Sequence, residues 1–119
     1  VYASGEILGK PKSEAEAENM IRRLADRTHS VYTGVCILRS DTREMLTKAE
    51  RTLVEFAPMS DSEIARYLSA GEHMDKAGAY GIQGFASRFI RRIDGCFFNV
   101  MGLPIHLLYS MAKEMGIEL

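Results

Sequence analysis

Cysteine is scarce in this chain of 119 residues: Cys36 and Cys96 are too few for a disulfide framework. Cys36 falls inside an apolar strand pattern and is therefore expected as a buried, reduced thiol. Charge of one sign is also lacking. Fifteen basic and sixteen acidic residues leave a net charge of −1, with no basic stripe. That argues against a nucleic-acid polymer as partner, but not against a single nucleotide, which a few cations can hold. No apolar run approaches the ~20 residues that span a bilayer, so no membrane partner is expected. The first residues lack the charged-then-apolar order of a signal peptide. Together these absences predict a cytoplasmic setting. His29, His73 and His106 are scattered without metal-ligand spacing, which argues against a zinc site. No internal repeat or low-complexity linker divides the chain, so residues 1–119 read as one domain. A hydrophobic content of 46% suffices for its core.

What is present alternates between helical and extended patterns. Ser13, with Glu16 three residues on, opens a helix as a capping box. Ala17, Met20, Ile21 and Leu24 then recur on one apolar face, predicting a helix to about Asp26. From Ser30 to Leu38, both alternating faces are largely apolar, predicting a central strand covered on both sides. A polar turn at Ser40–Arg43 leads into a second strand, Leu46 to Phe56, and the two predict a hairpin. Ser60 and Glu63 form another capping box, Ile64, Tyr67 and Leu68 the apolar face behind it, and Gly71 a C-cap. Phe85 to Ile93 reads as a strand and Asp94-Gly95 as a turn. Pro104 suits the first turn of a last helix, with Leu108, Met111 and Met115 as its buried stripe and Gly116 as its stop. The expected class is α/β, a mixed sheet flanked by helices.

The segment Asp75–Gly84, DKAGAYGIQG, stands apart. It combines an acid, a base and an amide with Gly78, Gly81 and Gly84. Glycine lets a ligand approach the main chain closely, although any one of the three could serve only a turn. Lys76 in this loop, and Lys10 between Gly9 and Pro11, are point charges that a phosphate could use; each could equally sit in water. Glu72 and Asp75 could face a metal, orient the lysine or form an ordinary salt bridge with it. Gln83 could read a base edge through its paired donor and acceptor, or tie down the loop.

The order of the motifs resembles the Maf proteins, nucleoside-triphosphate pyrophosphatases also called septum-formation inhibitors. The matching pieces are GEILGKP at Gly5–Pro11, HSVYTGV at His29–Val35, SDSEIARYLSAGE at Ser60–Glu72, DKAGAYGIQG at Asp75–Gly84 and NVMGLP at Asn99–Pro104. The resemblance covers nearly the whole chain. It implies a fold of the Maf and inosine-triphosphate-pyrophosphatase kind. The implied reaction is hydrolysis of a nucleoside triphosphate to monophosphate and pyrophosphate, by water attacking the α-phosphorus with a divalent cation, Mg or Mn, neutralising charge. Lys10 and Lys76 match pocket lysines, and Gln83 matches a position tied to substrate choice. The GIQG form is similar to the branch acting on dTTP and UTP, and argues against the branch acting on 7-methyl-GTP.

The chain also departs from the family pattern. Ala25-Asp26 stands where the family often has Ser-Gly, and His73 where proline is frequent; both are expected on surface turns. The Ser-Arg-Arg phosphate motif and the Ala-Asp-Thr motif, whose aspartate is the general base, are absent. Val1 would align just after that aspartate, which predicts a C-terminal portion of the family domain, with Val1–Leu8 the tail of the strand that carries the base. Glu6 is close in sequence but wrongly spaced to substitute. Impaired turnover is therefore expected, and so is a homodimer covering the sheet edge left exposed. The alternative to an enzyme is a non-catalytic nucleotide-binding or cell-division regulatory module.

Overall fold

The computed structural model describes all residues from Val1 to Leu119. It begins with a tight hairpin: β1 (Tyr2–Ala3) and β2 (Glu6–Ile7) flank Ser4 and Gly5, both at positive φ. Two central residues of that conformation match the right-handed twist of the strands they join. The opening segment is thus a reversal of direction, not the straight strand tail expected from the sequence. Glycine at the second position makes that reversal inexpensive.

Helix α1 (Glu14–Leu24) starts where Ser13 accepts from the Glu16 N–H, and it buries Ala17, Met20, Ile21 and Leu24. It ends two residues short of the expected Asp26, which lies at a positive φ of 58° that no helix can continue through. The long hairpin follows: β3 (Thr28–Leu38) pairs with β4 (Met45–Phe56) over eleven residues. Helix α2 (Asp61–Ser69) has the full reciprocal capping box between Ser60 and Glu63, and Gly71 follows it at positive φ. A single 3₁₀ turn at Ala77–Ala79 and another at Phe85–Phe89 lead into β5 (Ile90–Asp94). The strand expected over Phe85–Ile93 therefore starts five residues later. Ala86 and Phe89 are buried from a 3₁₀ turn, a spacing that alternation does not reveal. A short helix α3 (Phe97–Met101), not foreseen in the sequence, precedes α4 (Ile105–Glu114), whose N-cap is Pro104.

The five strands run β2-β1-β3-β4-β5. The α/β class holds, with helices against the sheet, but every ladder is antiparallel. The α1 crossover does join two strands of like direction, β2 and β3, but β1 lies between them, and β4 and β5 run in opposite directions, so no two neighbours are parallel. Beyond Ser30, which pairs with Tyr2, no strand borders the outer side of β3.

The core joins α1 and α2 to the root of the hairpin through Leu24, Ile64, Tyr67, Val31, Val54, Phe56, Tyr80 and Phe89. Only one face of β3 is covered. Tyr32, Gly34, Cys36 and Leu38 are exposed, so the central strand covered on both sides is a misreading, and Cys36 is an exposed free thiol. Apolar residues at both parities permit burial on both faces but do not supply a second layer to bury them. His73 is another correction: it is 2% exposed, not on a surface turn, and its Nε2 lies 2.8 Å from Glu14 Oε2, tying the loop after α2 to the start of α1. No helix is long and apolar enough to cross a membrane.

Candidate functional site

The open side of β3 faces a cavity of about 650 Å³, within the size range typical of small-molecule sites. Its walls come from four places: Val1, Val31–Thr33 on β3, Glu72 with Lys76, Ala77 and Tyr80–Gly84 of the glycine-rich loop, and Asn99–Gly102 from α3 and its exit. The chain folds this way locally because the loop is anchored at its middle, in two directions. Tyr67 on α2 donates to the carbonyl of Ala79 at 2.6 Å. Tyr80 reaches the other way, its hydroxyl 2.6 Å from His29 Nε2 beneath the root of β3. Burial pushes the His29 imidazole down to about 4, so it is neutral at pH 7 and serves as a structural partner of Tyr80. Burial likewise pushes the Tyr80 and Tyr67 hydroxyls up, so both stay protonated donors.

Lys76 is aimed by its neighbours. Its Nζ donates to the backbone carbonyl of Glu72 at 3.1 Å and to Asp75 Oδ1 at 3.0 Å. The Lys76 ammonium holds the Asp75 carboxyl below the usual carboxylate range, with a smaller contribution from Lys10. The lysine stem crosses directly over Gly81: a Cβ there would come within 2.8 Å of Lys76 Cε. Gly84 plays the same part for Glu72, whose carboxylate would lie 2.7 Å from a Cβ at that position and accepts from the Phe85 N–H at 2.8 Å. Gly78, at φ +70°, packs against Val1 and donates its N–H to the carbonyl of Gly9 at 3.0 Å. That bond fastens the Lys10 loop to the glycine-rich loop.

Of the residues singled out in the sequence, the fold brings Lys76, Gly81, Gln83, Gly84 and Glu72 to the cavity. Gln83 is exposed there. Gly78 is buried below the wall, and Lys10 is exposed outside the lining, near enough to Asp75 to act on its charge. Asp75 orients Lys76. The residues present do not fit a metal centre. Glu72 is engaged by Phe85, Asp75 by Lys76, and nowhere do three His, Cys, Asp or Glu side chains gather where they could hold an ion. Sequence reasoning missed Tyr80 and Asn99 as wall residues. A polar residue inside the apolar run CFFNVM was the available signal for Asn99.

The Maf-like protein family matches residues 1–115. The chain is 45% identical over its full 119 residues to the dTTP/UTP pyrophosphatase of Caldicellulosiruptor saccharolyticus, and 50% identical over the same span to that of Caldicellulosiruptor bescii; each match covers 60% of the relative. It is 50% identical over 116 residues, 98% of this chain and 59% of the relative, to the dTTP/UTP pyrophosphatase of Symbiobacterium thermophilum. The chain thus spans about 60% of the length of the curated relatives it matches. With motifs, fold and relatives in agreement, this chain belongs to the Maf-like protein family.

Proposed function

We propose that this chain forms the nucleotide-holding part of a nucleoside-triphosphate pyrophosphatase acting on dTTP or UTP. The observation that carries the reading is one cavity with an oriented ammonium, Lys76, at one point of its wall and an uncommitted amide, Gln83, seven residues along the same loop. The relatives named dTTP/UTP pyrophosphatase support the substrate class. Lys76 would hold phosphate as a point charge, Asp75 keeping it in place. Lys10 would add positive potential from outside the wall. Gln83 would contact the base.

No titratable group in the wall is placed as a general base. Glu72 is occupied by Phe85, and Tyr80 is buried and protonated. The reading therefore gives this chain binding and orientation, and proton abstraction to no residue in it. That same observation favours the second reading, a non-catalytic nucleotide-binding module, for the chain acting alone. The exposed apolar side chains of Leu38, Met45, Phe98 and Ile105 support a homodimer; a monomer in sedimentation velocity at micromolar concentration would refute it.

Titration calorimetry with dUTP tests the pocket. Lys76→Ala should weaken binding of every nucleoside triphosphate tried by about tenfold, with little change in thermal stability. Gln83→Ala should alter the ranking among bases. A collapse in stability with Lys76→Ala would make that lysine structural, and a uniform loss with Gln83→Ala would remove its part in base choice.

A further inference from the structure

We propose that Glu72 is a positioning residue for base recognition, its carboxylate fixing the end of the glycine-rich loop that carries Gln83. The inference rests on the nucleotide-pocket reading above. Gln83 is exposed, so its placement depends on the main chain that bears it. Two residues beyond it begins the 3₁₀ turn Phe85–Phe89, whose N-cap is Gly84. Glycine has no side chain with which to cap that turn. Glu72, thirteen positions before Phe85, supplies the acceptor: its Oε2 accepts from the Phe85 N–H at 2.8 Å. An N–H at the start of such a turn has no partner within the turn itself.

The contact is built from both sides. A Cβ at position 84 would meet Glu72 first, with Oε1 at 2.7 Å and Cδ and Oε2 at 3.1 Å. Gly84 has a φ of −88°, which any residue adopts, so the need for glycine there comes from the carboxylate. The same residue also reaches Lys76, whose Nζ donates to the Glu72 carbonyl at 3.1 Å. Glu72 thus holds the phosphate lysine with its main chain and the Gln83 end of the loop with its side chain. The middle of the loop is held separately, by Tyr67 on the Ala79 carbonyl and Tyr80 on His29. Loss of the carboxylate therefore frees the Gln83 end alone.

A nucleoside triphosphate spans both ends of this loop. Its phosphates meet Lys76, and its base meets Gln83 at a separation that the loop sets. A freed Gln83 end must be ordered again each time a base binds, which weakens the base contact and leaves the phosphate contact as it was. General structural support behaves differently: its loss weakens both halves together.

The two halves are read apart by titrating the chain with dUTP and with tripolyphosphate, which carries the phosphates without the base. Glu72→Ala should weaken dUTP about three- to tenfold and leave tripolyphosphate unchanged. Glu72→Gln should restore dUTP binding, because its amide oxygen still accepts from the Phe85 N–H. Gly84→Ala, which drives the carboxylate off its seat, should show the same selective loss, and no further loss when added to Glu72→Ala. That second route keeps the test decisive if Glu72→Ala does not fold. Equal weakening of both ligands, failure of Glu72→Gln to restore dUTP, or additive losses from positions 72 and 84 overturns the role of Glu72 and leaves the pocket standing. Absence of binding of either ligand to the unaltered chain overturns the pocket, and this inference with it.

Discussion

The two ends of the β3–β4 hairpin have similar apolar content and opposite fates. At its root, His29, Val31, Val54 and Phe56 pack with α1, α2 and the glycine-rich loop, and Thr52 lies under Cys96 and Asn99 at the start of α3, all at most 9% exposed. At its tip, Leu38 and Met45 pair with each other and are 63% and 67% exposed. The strands are continuous and the register unbroken from Thr28–Glu55 to Leu38–Met45. Strand formation therefore does not require burial of both ends, because the ladder satisfies the backbone wherever it runs. What differs is whether another layer arrives. The cavity lies at the root, where the layers that bury the sheet also supply the loop walls.

The largest test of this contrast is truncation at each end. Phe56→Ala should lower unfolding free energy by about 3–5 kcal/mol, and Leu38→Ala by less than ~0.5 kcal/mol, as read by urea denaturation. Similar losses at both ends would erase the distinction.

Acid should attack the root next. In the unfolded chain His29 takes up a proton near its ordinary 6.5; in the fold it resists until about 4. The unfolded state thus binds more protons between those values, and stability falls as pH drops through that window. The shift corresponds to a loss on the order of 3 kcal/mol, complete by about pH 4 and absent above pH 7. His29→Gln should flatten that part of the profile; an unchanged slope would assign the acid sensitivity to other groups.

A smaller effect is expected at the cavity wall. Gly81→Ala should push the Lys76 stem off its path and weaken nucleotide binding by about three- to tenfold, a cost near 1 kcal/mol, with thermal stability nearly unchanged. Unaltered affinity would mean that Lys76 does not need that path. Ser60→Ala, which removes the cap of α2 over the root, should cost about 1 kcal/mol in the same denaturation assay. A neutral result there would show that α2 is held by Ile64 and Tyr67 alone.

Local chemistry was legible wherever it was self-contained. Both serine caps, the buried face of α1 and the hairpin follow from spacing, because each depends on residues within a few positions of one another. The loop Asp75–Gly84, part of which lines the cavity, was legible as an unusual segment for the same reason. Its glycines accommodate Val1, Lys76 and Glu72. Exposure was not legible. Cys36 and Leu38 sit in an apolar run, but no element packs on them. His73 reads as a loop residue, but its buried ring meets the largely exposed Glu14, 59 positions earlier. The antiparallel pairing depended on β1 inserting between β2 and β3, and the late start of β5 on the 3₁₀ turn at Phe85–Phe89.

The sequence by itself determined the starts of α1 and α2, the strand pairing in the long hairpin, the loop chemistry and the family, because those rest on short-range pattern and motif order. Only the tertiary structure decided that Lys76 is pointed by Asp75, that His29 is neutral, and that the Asn99 amide is pinned to the long hairpin. Each of those depends on partners or burial supplied by segments brought together in folding. Asn99 shows this most directly, since Val31, Glu50 and Thr52 lie 47 to 68 residues away along the chain.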